Sequence, residues 1–269
     1  NTIFNFEKHN TQSLQAIEKA DVIFTLDFNS LSRVGDMQPT LEKSKASFVM
    51  IDHHQQPDQY ALVSYSDTTM GSTCEMIFHF IDALEGQKHI TPQIATLLYT
   101  GIMTDTGSFR FPSTTALTHR VIASLIEYGA KNAEIHQNVY DTNSSSRIKL
   151  LGVALENLVV LEHYHTAYIT ISQKELDDNN FKKGDTEGFV NYALSVLGIV
   201  FAIIFIENKQ ENIVKISLRS KGDFSVNEFS RTHYNGGGHT NAAGGRSLLS
   251  LEETVTQFIS ILPNYKNQL

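Results

Sequence analysis

The sequence predicts an α/β protein in which a parallel-sheet domain precedes a smaller α/β domain. Two apolar, strand-like segments, residues 22–26 and 49–51, each run directly into an aspartate. Helical patterns follow them at the lengths expected when strands and helices alternate. A polar stretch at residues 141–149 then replaces the apolar periodicity and marks a domain boundary.

Domain limits follow from that polar stretch. We place the first domain at residues 1–142, a connector helix at 143–158 and the second domain at 159–269. A length of 269 residues suffices for two domains, each with its own core.

Composition narrows the functional class. The 29 acidic and 21 basic residues give a formal net charge of −8, which argues against a broad surface that coats nucleic acid. Anionic substrates are then held by a few local cations and metal ions, which favours short substrates. The longest strongly apolar run, residues 199–206, is far below the roughly 20 residues of a membrane helix. Cys74 is the only cysteine, so an intrachain disulfide is excluded.

The first domain begins with a short helix near residues 13–19, which leads into the strand ending at Asp27. Residues 30–45 are polar and contain turn formers, so we expect a surface connection there. The strand that follows ends in Asp52, His53 and His54.

Three helices complete the first domain. Ser72 is the expected N-cap of one of them, and Glu75 completes a capping-box pattern. Pro92 opens the next helix, which leads to Gly101 and Asp105. We expect small residues such as Gly101 to let the backbone approach a ligand closely. A further helix covers residues 115–128, and such alternation favours a parallel sheet covered on both faces.

For the second domain, the sequence predicts a mixture of strands and helices. Its strands are expected at residues 166–172, 199–206 and 212–218, and its helices around residues 187–197, 226–231 and 251–261.

Candidate metal ligands lie at the ends of these elements. Asp27, Asp52 and His53 follow strands, and ligands bind at the carboxyl ends of strands in open parallel sheets. Asp105 ends a helix-like run. Carboxylate and imidazole suit Mn²⁺ or Mg²⁺, and adjacent side chains diverge, so His53 and His54 can serve different roles. Taken alone, Asp-His-His also fits an ordinary polar strand end.

A glycine run in the second domain is a candidate phosphate site. Gly236, Gly237 and Gly238 expose backbone amides, and His239 adds a further donor. Arg219 can bind a phosphate through two hydrogen bonds. A glycine run alone is more often a turn.

These motifs resemble those of the DHH phosphoesterases. The matching segments are LDFNS at residues 26–30, IDHH at 51–54 and GIMTD at 101–105 with the following residues through Arg110. In the second domain, SLRSKG at 217–222 and NGGGHTNAAG at 235–244 resemble the DHH-associated domain. The resemblance therefore covers nearly the whole chain.

One family motif, His-x-x-x-Asp-x-Asp ahead of Asp27, is not found in these residues. Because the chain begins at Asn1 rather than Met, we expect this segment to lie outside the given sequence. The alternative is a protein that has lost one metal site.

The resemblance implies a metal-dependent phosphoesterase with its active site in a cleft between the two domains. It implies two Mn²⁺ ions, with Mg²⁺ or Co²⁺ as alternatives, and Asp27 bridging them. His53 and Asp105 would complete one site, and the missing motif would supply the other. Asp52 would orient a ligand, and His54 would contact the scissile phosphate.

The expected substrates are short oligoribonucleotides and 3'-phosphoadenosine 5'-phosphate, as in bacterial family members often labelled exopolyphosphatase-related. Arg219, Gly236, Gly237, Gly238 and His239 would hold the far phosphate of the substrate. Arg110 is a further substrate-binding candidate, although an exposed loop arginine is its simpler interpretation. The resemblance also implies a cytoplasmic protein.

Two alternatives stay open. The same metal centre suits a cyclic or linear dinucleotide phosphodiesterase or an exopolyphosphatase. A nucleotide- or RNA-binding module without catalysis is the non-enzymatic alternative. The sequence leaves homodimer formation undecided, and no membrane partner is expected.

Overall fold

A computed structural model describes residues 3–269 of the chain. The chain divides into two compact units, the first ending at Asp141 and the second beginning at Thr142. Each unit has its own hydrophobic cores.

The first unit is a three-stranded sheet with a helical layer. Its strands are β1 (Val22–Leu26), β2 (Ser47–Asp52) and β3 (Val63–Ser66). Its helices are α1 (Asn10–Glu18), α2 (Gln38–Glu42), α3 (Thr73–Ala83), α4 (Pro92–Asp105), α5 (Ala116–Glu127) and α6 (Asn132–Tyr140), with 3₁₀ turns at Leu31–Met37 and Gln87–His89.

The three strands run parallel in the order β1-β2-β3. Leu26 pairs with Ile51, and Asp52 pairs with Ser66, so all three strands end at the same edge of the sheet. Strand β2 is central and nearly fully buried from Met50 onward, which explains its continuous apolar character.

Strand β1 lies at the edge of this sheet. Val22, Phe24 and Leu26 are 50%, 49% and 41% exposed. The Phe80 ring of α3 packs edge-on against Phe24 at a centroid distance of 5.9 Å. The expected coverage of both faces therefore applies to β2 but not to the whole of β1.

Helices α3 and α4 pack closely at Gly101. A side chain at this position would overlap Sγ of Cys74 and come within 2.9 Å of its Cβ. Gly101 is therefore required for this helix packing, and its expected role in the close approach of a ligand stays a prediction. Helix α3 begins as predicted, because Ser72 Oγ accepts a hydrogen bond from the Glu75 amide.

Residues 30–45 are more ordered than the polar surface connection expected from their composition. They form the 3₁₀ turn Leu31–Met37 and helix α2, and Leu31 and Leu41 are buried. These two leucines pack with Phe48 of β2 in a small core of their own.

The second unit has a six-stranded mixed sheet. Its strands are β4 (Val159–Leu161), β5 (Thr166–Ile171), β6 (Phe201–Asn208), β7 (Ile213–Ser220), β8 (Gly237–His239) and β9 (Ala242–Ser247). Its helices are α7 (Ser145–Glu156), α8 (Gln173–Asp178), α9 (Phe189–Ser195), α10 (Val226–His233) and α11 (Leu251–Ile261), with 3₁₀ turns at Glu162–Tyr164 and Leu262–Tyr265.

The strand order is β4-β5-β6-β7-β9-β8, with β5 and β6 parallel and all other neighbours antiparallel. One face of the sheet packs with α10 and α11 in an aromatic core, and the other packs with α7, α8 and α9. Leu150 and Ala154 of α7 are fully buried, so the helix expected as a connector belongs to the core of this unit. Within residues 3–269, no helix combines the length and apolar character needed to cross a bilayer.

Candidate metal centre

Two carboxylates and one imidazole meet at the carboxyl edge of the first sheet. Nε2 of His53 lies 3.6 Å from Oδ1 of Asp27 and 3.7 Å from Oδ2 of Asp105. One ligand atom from each of the three residues lies within 4.8 Å of the other two. The structure therefore brings together the three residues that the sequence nominated for one ion.

His53 is held in the tautomer that a metal ligand needs. Its side chain is 7% exposed, and Nδ1 lies 3.1 Å from the carbonyl oxygen of Met70. A carbonyl oxygen only accepts, so the proton is on Nδ1, and the lone pair of Nε2 faces Asp27 and Asp105. Such a hydrogen bond behind a histidine fixes its orientation and raises its basicity as a ligand.

Asp27 is fixed by both its backbone and its side chain. Its φ of +65° lies in the left-handed region, which aspartate tolerates better than most residues. Its amide donates to the carbonyl of Ile51 at 3.2 Å. Thr73, which is 4% exposed, donates from Oγ1 to Oδ1 of Asp27 at 2.8 Å. Sequence reasoning missed Thr73, because 46 residues separate it from Asp27.

Asp105 is the last residue of α4, and the backbone beyond it leaves the helical path. Gly107, Ser108 and Phe109 all have φ values between +58° and +66°. A left-handed backbone is rare for a bulky residue such as phenylalanine. The Phe109 amide donates to Oγ1 of buried Thr106 at 3.1 Å, which helps to hold this turn.

The electrostatics of this cluster favour a cation. Burial and the negative charge of Asp27 raise the pKa of Asp105, while His53 and His54 act in the opposite direction. A neighbouring negative charge raises the pKa of Asp105 in this way until a cation balances it. Burial, together with Asp105 and Asp27, raises the pKa of Cys74 to about 11, so Cys74 is a neutral thiol at pH 7.

His54 forms a separate pair with Asp52. Fully buried Asp52 accepts hydrogen bonds from the His54 amide at 2.8 Å and from His54 Nδ1 at 2.7 Å. Burial alone would raise the pKa of Asp52, but these two hydrogen bonds and the nearby His53 lower it overall. Asp52 therefore orients His54, and its expected role in orienting a metal ligand stays a prediction.

A second group of potential ligands shares Asp27 with the first. Ligand atoms of Asp27, Asp52 and His54 also lie within 4.8 Å of one another. Because Asp27 belongs to both groups, its carboxylate lies where it can contact two ions. Asn29 supports this edge, as its side-chain amide donates to the carbonyls of His54 at 3.1 Å and Gln55 at 2.9 Å.

The third strand is followed by a carboxylate that accepts hydrogen bonds from its own turn. Asp67 follows β3, and its Oδ1 accepts hydrogen bonds from the amide and hydroxyl of Thr69. These hydrogen bonds lower the pKa of Asp67. The side chain caps its own turn, and it does not belong to either ligand group.

The glycine run of the second unit differs from the expected phosphate cradle. Gly237 and Gly238 belong to strand β8, and the Gly238 amide donates to Oδ1 of Asn227 at 2.9 Å. The Gly236 amide donates to the carbonyl of Ser230 at 3.2 Å. The amides of Gly236 and Gly238 therefore already donate hydrogen bonds within the protein.

Packing explains these glycines. A Cβ on Gly236 would overlap the Gly244 carbonyl, and one on Gly238 would overlap the Ala242 carbonyl. The run therefore lets β8 lie close against β9. His239, the last residue of β8, is half-buried.

The two candidate arginines differ in their surroundings. Arg219 on β7 is half-buried, and its Nη1 donates to the Leu218 carbonyl at 2.9 Å. Burial lowers the pKa of Arg219, and the negative charge of Glu187 opposes this. Arg110 is exposed, and its Nε donates to the Gly107 carbonyl at 2.8 Å. Arg219 is thus the more constrained of the two.

Two family models match the chain. The model described as DHH family, N-terminal domain, matches residues 3–102, and the DHHA1 domain model matches residues 162–265. The DHH match contains Asp27, His53 and His54, and the DHHA1 match contains Arg219 and His239.

Similar proteins include the bifunctional oligoribonuclease and PAP phosphatase NrnA of Bacillus subtilis, at 30% identity over 86% of this chain and 71% of that protein. A probable NrnA of Streptococcus mutans is 34% identical over 74% of this chain and 62% of its own length. Among solved structures, an exopolyphosphatase-related protein from Bacteroides fragilis superposes with a TM-score of 0.95 at 35% identity. That superposition covers 99% of this chain and 78% of the other.

Proposed function

The chain belongs to the DHH family and carries a DHHA1 domain, and on that premise we propose that it is a metal-dependent hydrolase of short oligoribonucleotides and 3'-phosphoadenosine 5'-phosphate. The observation that carries the proposal is the position of His53, whose Nε2 faces Asp27 and Asp105 at 3.6 and 3.7 Å. The names of the NrnA relatives support the choice of substrates.

The donor set fits a divalent ion. Two carboxylate oxygens and one neutral imidazole nitrogen match the preferences of Mn²⁺, with Mg²⁺ or Co²⁺ as alternatives. Asp27, His53 and Asp105 would hold this ion. A bound divalent ion supplies an activated water and neutralises charge on the phosphoryl oxygens.

His54 is the proposed phosphate-contacting residue. The carboxylate of Asp52 keeps a proton on Nδ1 of His54, so the proposed contact with a substrate falls to Nε2. Donation from Nε2 to a phosphoryl oxygen requires the imidazolium form, whose positive charge the buried carboxylate balances. Preorganised donors of this kind stabilise charge that develops in the transition state.

Residues of the second unit are proposed to bind the substrate's other phosphate. Arg219 brings a guanidinium and His239 an imidazole, and Arg110 is a further cation in the first unit. Because the amides of Gly236 and Gly238 already donate hydrogen bonds within the protein, we assign phosphate binding to these side chains instead of to the backbone. We retain Gly236, Gly237 and Gly238 in the proposed site as the residues that shape the backbone beside His239.

A turnover screen tests the proposal. The purified protein is assayed with Mn²⁺, Mg²⁺ or Co²⁺ against di- to pentaribonucleotides, 3'-phosphoadenosine 5'-phosphate, cyclic di-AMP and polyphosphate. We expect hydrolysis of the oligoribonucleotides and of 3'-phosphoadenosine 5'-phosphate, with loss of activity on chelation. Turnover of cyclic di-AMP or polyphosphate alone would reassign the substrate, and metal binding without any turnover would indicate a binding module.

A further inference from the structure

One face of the paired strands β7 and β9 carries positive charge and is exposed at Lys215 and Arg246. Along β7, buried and more exposed residues alternate, so every second side chain faces away from the aromatic core. The residues on this face are Lys215, Ser217 and Arg219 on β7 and Ala242, Gly244 and Arg246 on β9, and Lys215, Gly244 and Arg246 are the exposed ones among them. We call these six residues the cationic track.

Two cations of the track lie directly opposite each other. Lys215 on β7 pairs in register with Arg246 on β9, and both side chains are exposed. Like charges directly opposite in an antiparallel pair destabilise a sheet. The chain as a whole carries a net charge of −8, so this pairing does not reflect a generally basic composition. A pair of like charges that costs the sheet stability in this way points to a functional requirement at these two positions.

Small residues separate this pair from Arg219. Ser217 pairs with Gly244, and Arg219 pairs with Ala242, so the floor between the cations has no large side chain. Lys215 and Arg219 are four residues apart on one strand, which places their Cα atoms about 13 Å apart. The track therefore carries cations at both ends, with only small side chains between them.

The acidic neighbours of the track are few. Lys215 Nζ lies 2.6 Å from Glu211, and both side chains are about half exposed. Exposed ion pairs of this kind contribute little and exchange readily with other anions. The negative charge of Glu187 acts on the Arg219 guanidinium and favours its charged form. Among residues 3–269, no carboxylate lies within ion-pair distance of Arg246.

We infer that Lys215 and Arg246 form a second phosphate subsite, which binds a backbone phosphate of a single-stranded oligonucleotide beyond the phosphate held at Arg219. This inference rests on the proposed function and extends it to substrate length. The Cα separation along the track exceeds one sugar–phosphate repeat, so an oligonucleotide with several phosphates is a better match to both ends than a dinucleotide or 3'-phosphoadenosine 5'-phosphate. Positively charged grooves bind single strands through successive backbone phosphates in this way.

Binding measured without metal tests the subsite. The anisotropy of a fluorescein-labelled pentaribonucleotide is titrated with protein in EDTA, and unlabelled dinucleotide and 3'-phosphoadenosine 5'-phosphate serve as competitors. The double variant Lys215→Gln, Arg246→Gln should weaken pentanucleotide binding about tenfold and leave both competitors unchanged. Loss of one phosphate contact should also reduce the slope of log K against log salt by about 0.7.

Two control variants distinguish the effect of charge at the track from the effect of charge elsewhere on the protein. Arg246→Lys should retain binding. Lys266→Gln removes one positive charge outside the track. Lys266 contacts His163, and its neighbour Tyr265 packs against the aromatic core, from which the track faces away. This variant should leave pentanucleotide binding unchanged. Circular dichroism checks the fold of each variant.

Three results would overturn the inference: no pentanucleotide binding by the unmodified chain, an unchanged Kd in the double variant, or an equal loss for the dinucleotide. Competition by polyphosphate with the same sensitivity to the double substitution would assign the track to polyphosphate instead. A chain that binds pentanucleotide through the track but hydrolyses nothing with Mn²⁺ would refute the proposed function and support the subsite.

Discussion

Thr73 donates a hydrogen bond of 2.8 Å from its hydroxyl to Oδ1 of Asp27. The same short segment supplies the Met70 carbonyl that fixes His53. The entry to α3 therefore orients two of the three proposed ligands, and the position of one helix terminus determines the geometry of the metal centre.

Replacement of Thr73 tests that role. Thr73→Val keeps the shape of the side chain but removes the donor, so Asp27 loses its fixed orientation. We expect Mn²⁺ affinity to fall by about 10- to 100-fold, as for other residues that support ligands. Thr73→Ser should retain affinity. Isothermal titration calorimetry measures the change, and equal affinity of the valine variant and the unmodified protein would contradict the role.

The two adjacent histidines should separate metal binding from turnover. His53→Ala and Asp27→Ala should lose Mn²⁺ affinity. His54→Ala should retain the ion and lower kcat by about 10²- to 10³-fold, the usual effect of removing one transition-state donor. Asp52→Asn should resemble His54→Ala, because Asp52 pairs with His54 rather than His53. Equal loss of metal in both histidine variants would refute this division of roles.

Gly101→Ala should destabilise the first unit through overpacking. The added methyl would collide with Cys74, and such collisions cost about 1–3 kcal/mol. Cys74→Ala removes the sulfur, so the double variant should recover part of the lost free energy of unfolding. Chemical denaturation of both single variants and the double variant gives the coupling energy. Additive effects would show that the contact is not the cause.

Glu75 should make stability depend on pH. Burial raises the pKa of Glu75, while a hydrogen bond from Thr118 at 3.1 Å and the nearby His79 oppose this. Because the folded-state pKa exceeds the unfolded one, stability is complete below about 4.5 and declines as pH rises through the folded pKa.

Glu75→Gln should remove that decline, so it should become the more stable form as the pH rises above this range. Urea denaturation across pH 4 to 8 measures the difference. Glu18→Gln, a change at an exposed site, serves as the control. Parallel pH profiles for Glu75→Gln and the unmodified protein would exclude the effect.

Arg219→Ala and His239→Ala should raise KM for short oligonucleotides, because each removes a charge-assisted contact with the non-scissile phosphate. Each such contact contributes roughly 1.5–3 kcal/mol, which corresponds to a KM increase of about tenfold or more. The kcat values should change little. Steady-state kinetics on a dinucleotide supply the measurement, and an unchanged KM for Arg219→Ala would remove Arg219 from the site.

The sequence predicted the residues of the metal cluster better than the contacts that hold them. Asp27, His53 and Asp105 were visible because each ends an element, and parallel strands end at a common edge. Thr73 and the Met70 carbonyl were not visible, because their roles depend on distances across the fold. The pairing of Asp52 with His54 likewise depends on side-chain direction.

Short elements were the least predictable part of the fold. Strand β3 has four residues and little alternation, and its sequence gave no clear signal. Residues 237–239 were expected to form part of a phosphate-binding glycine run, yet they pair with β9 because the missing side chains allow a close approach. Polarity suggested a plain connection at residues 30–45, where Leu31 and Leu41 supply enough burial for helical turns.

The left-handed turn at Gly107, Ser108 and Phe109 fixes the length of α4 as well as its end. Each residue of an α-helix advances the chain by about 1.5 Å and rotates it by about 100°. Insertion or deletion of one residue between Pro92 and Asp105 would therefore swing the Asp105 carboxylate away from His53. Sequence change in this helix is therefore restricted to substitutions.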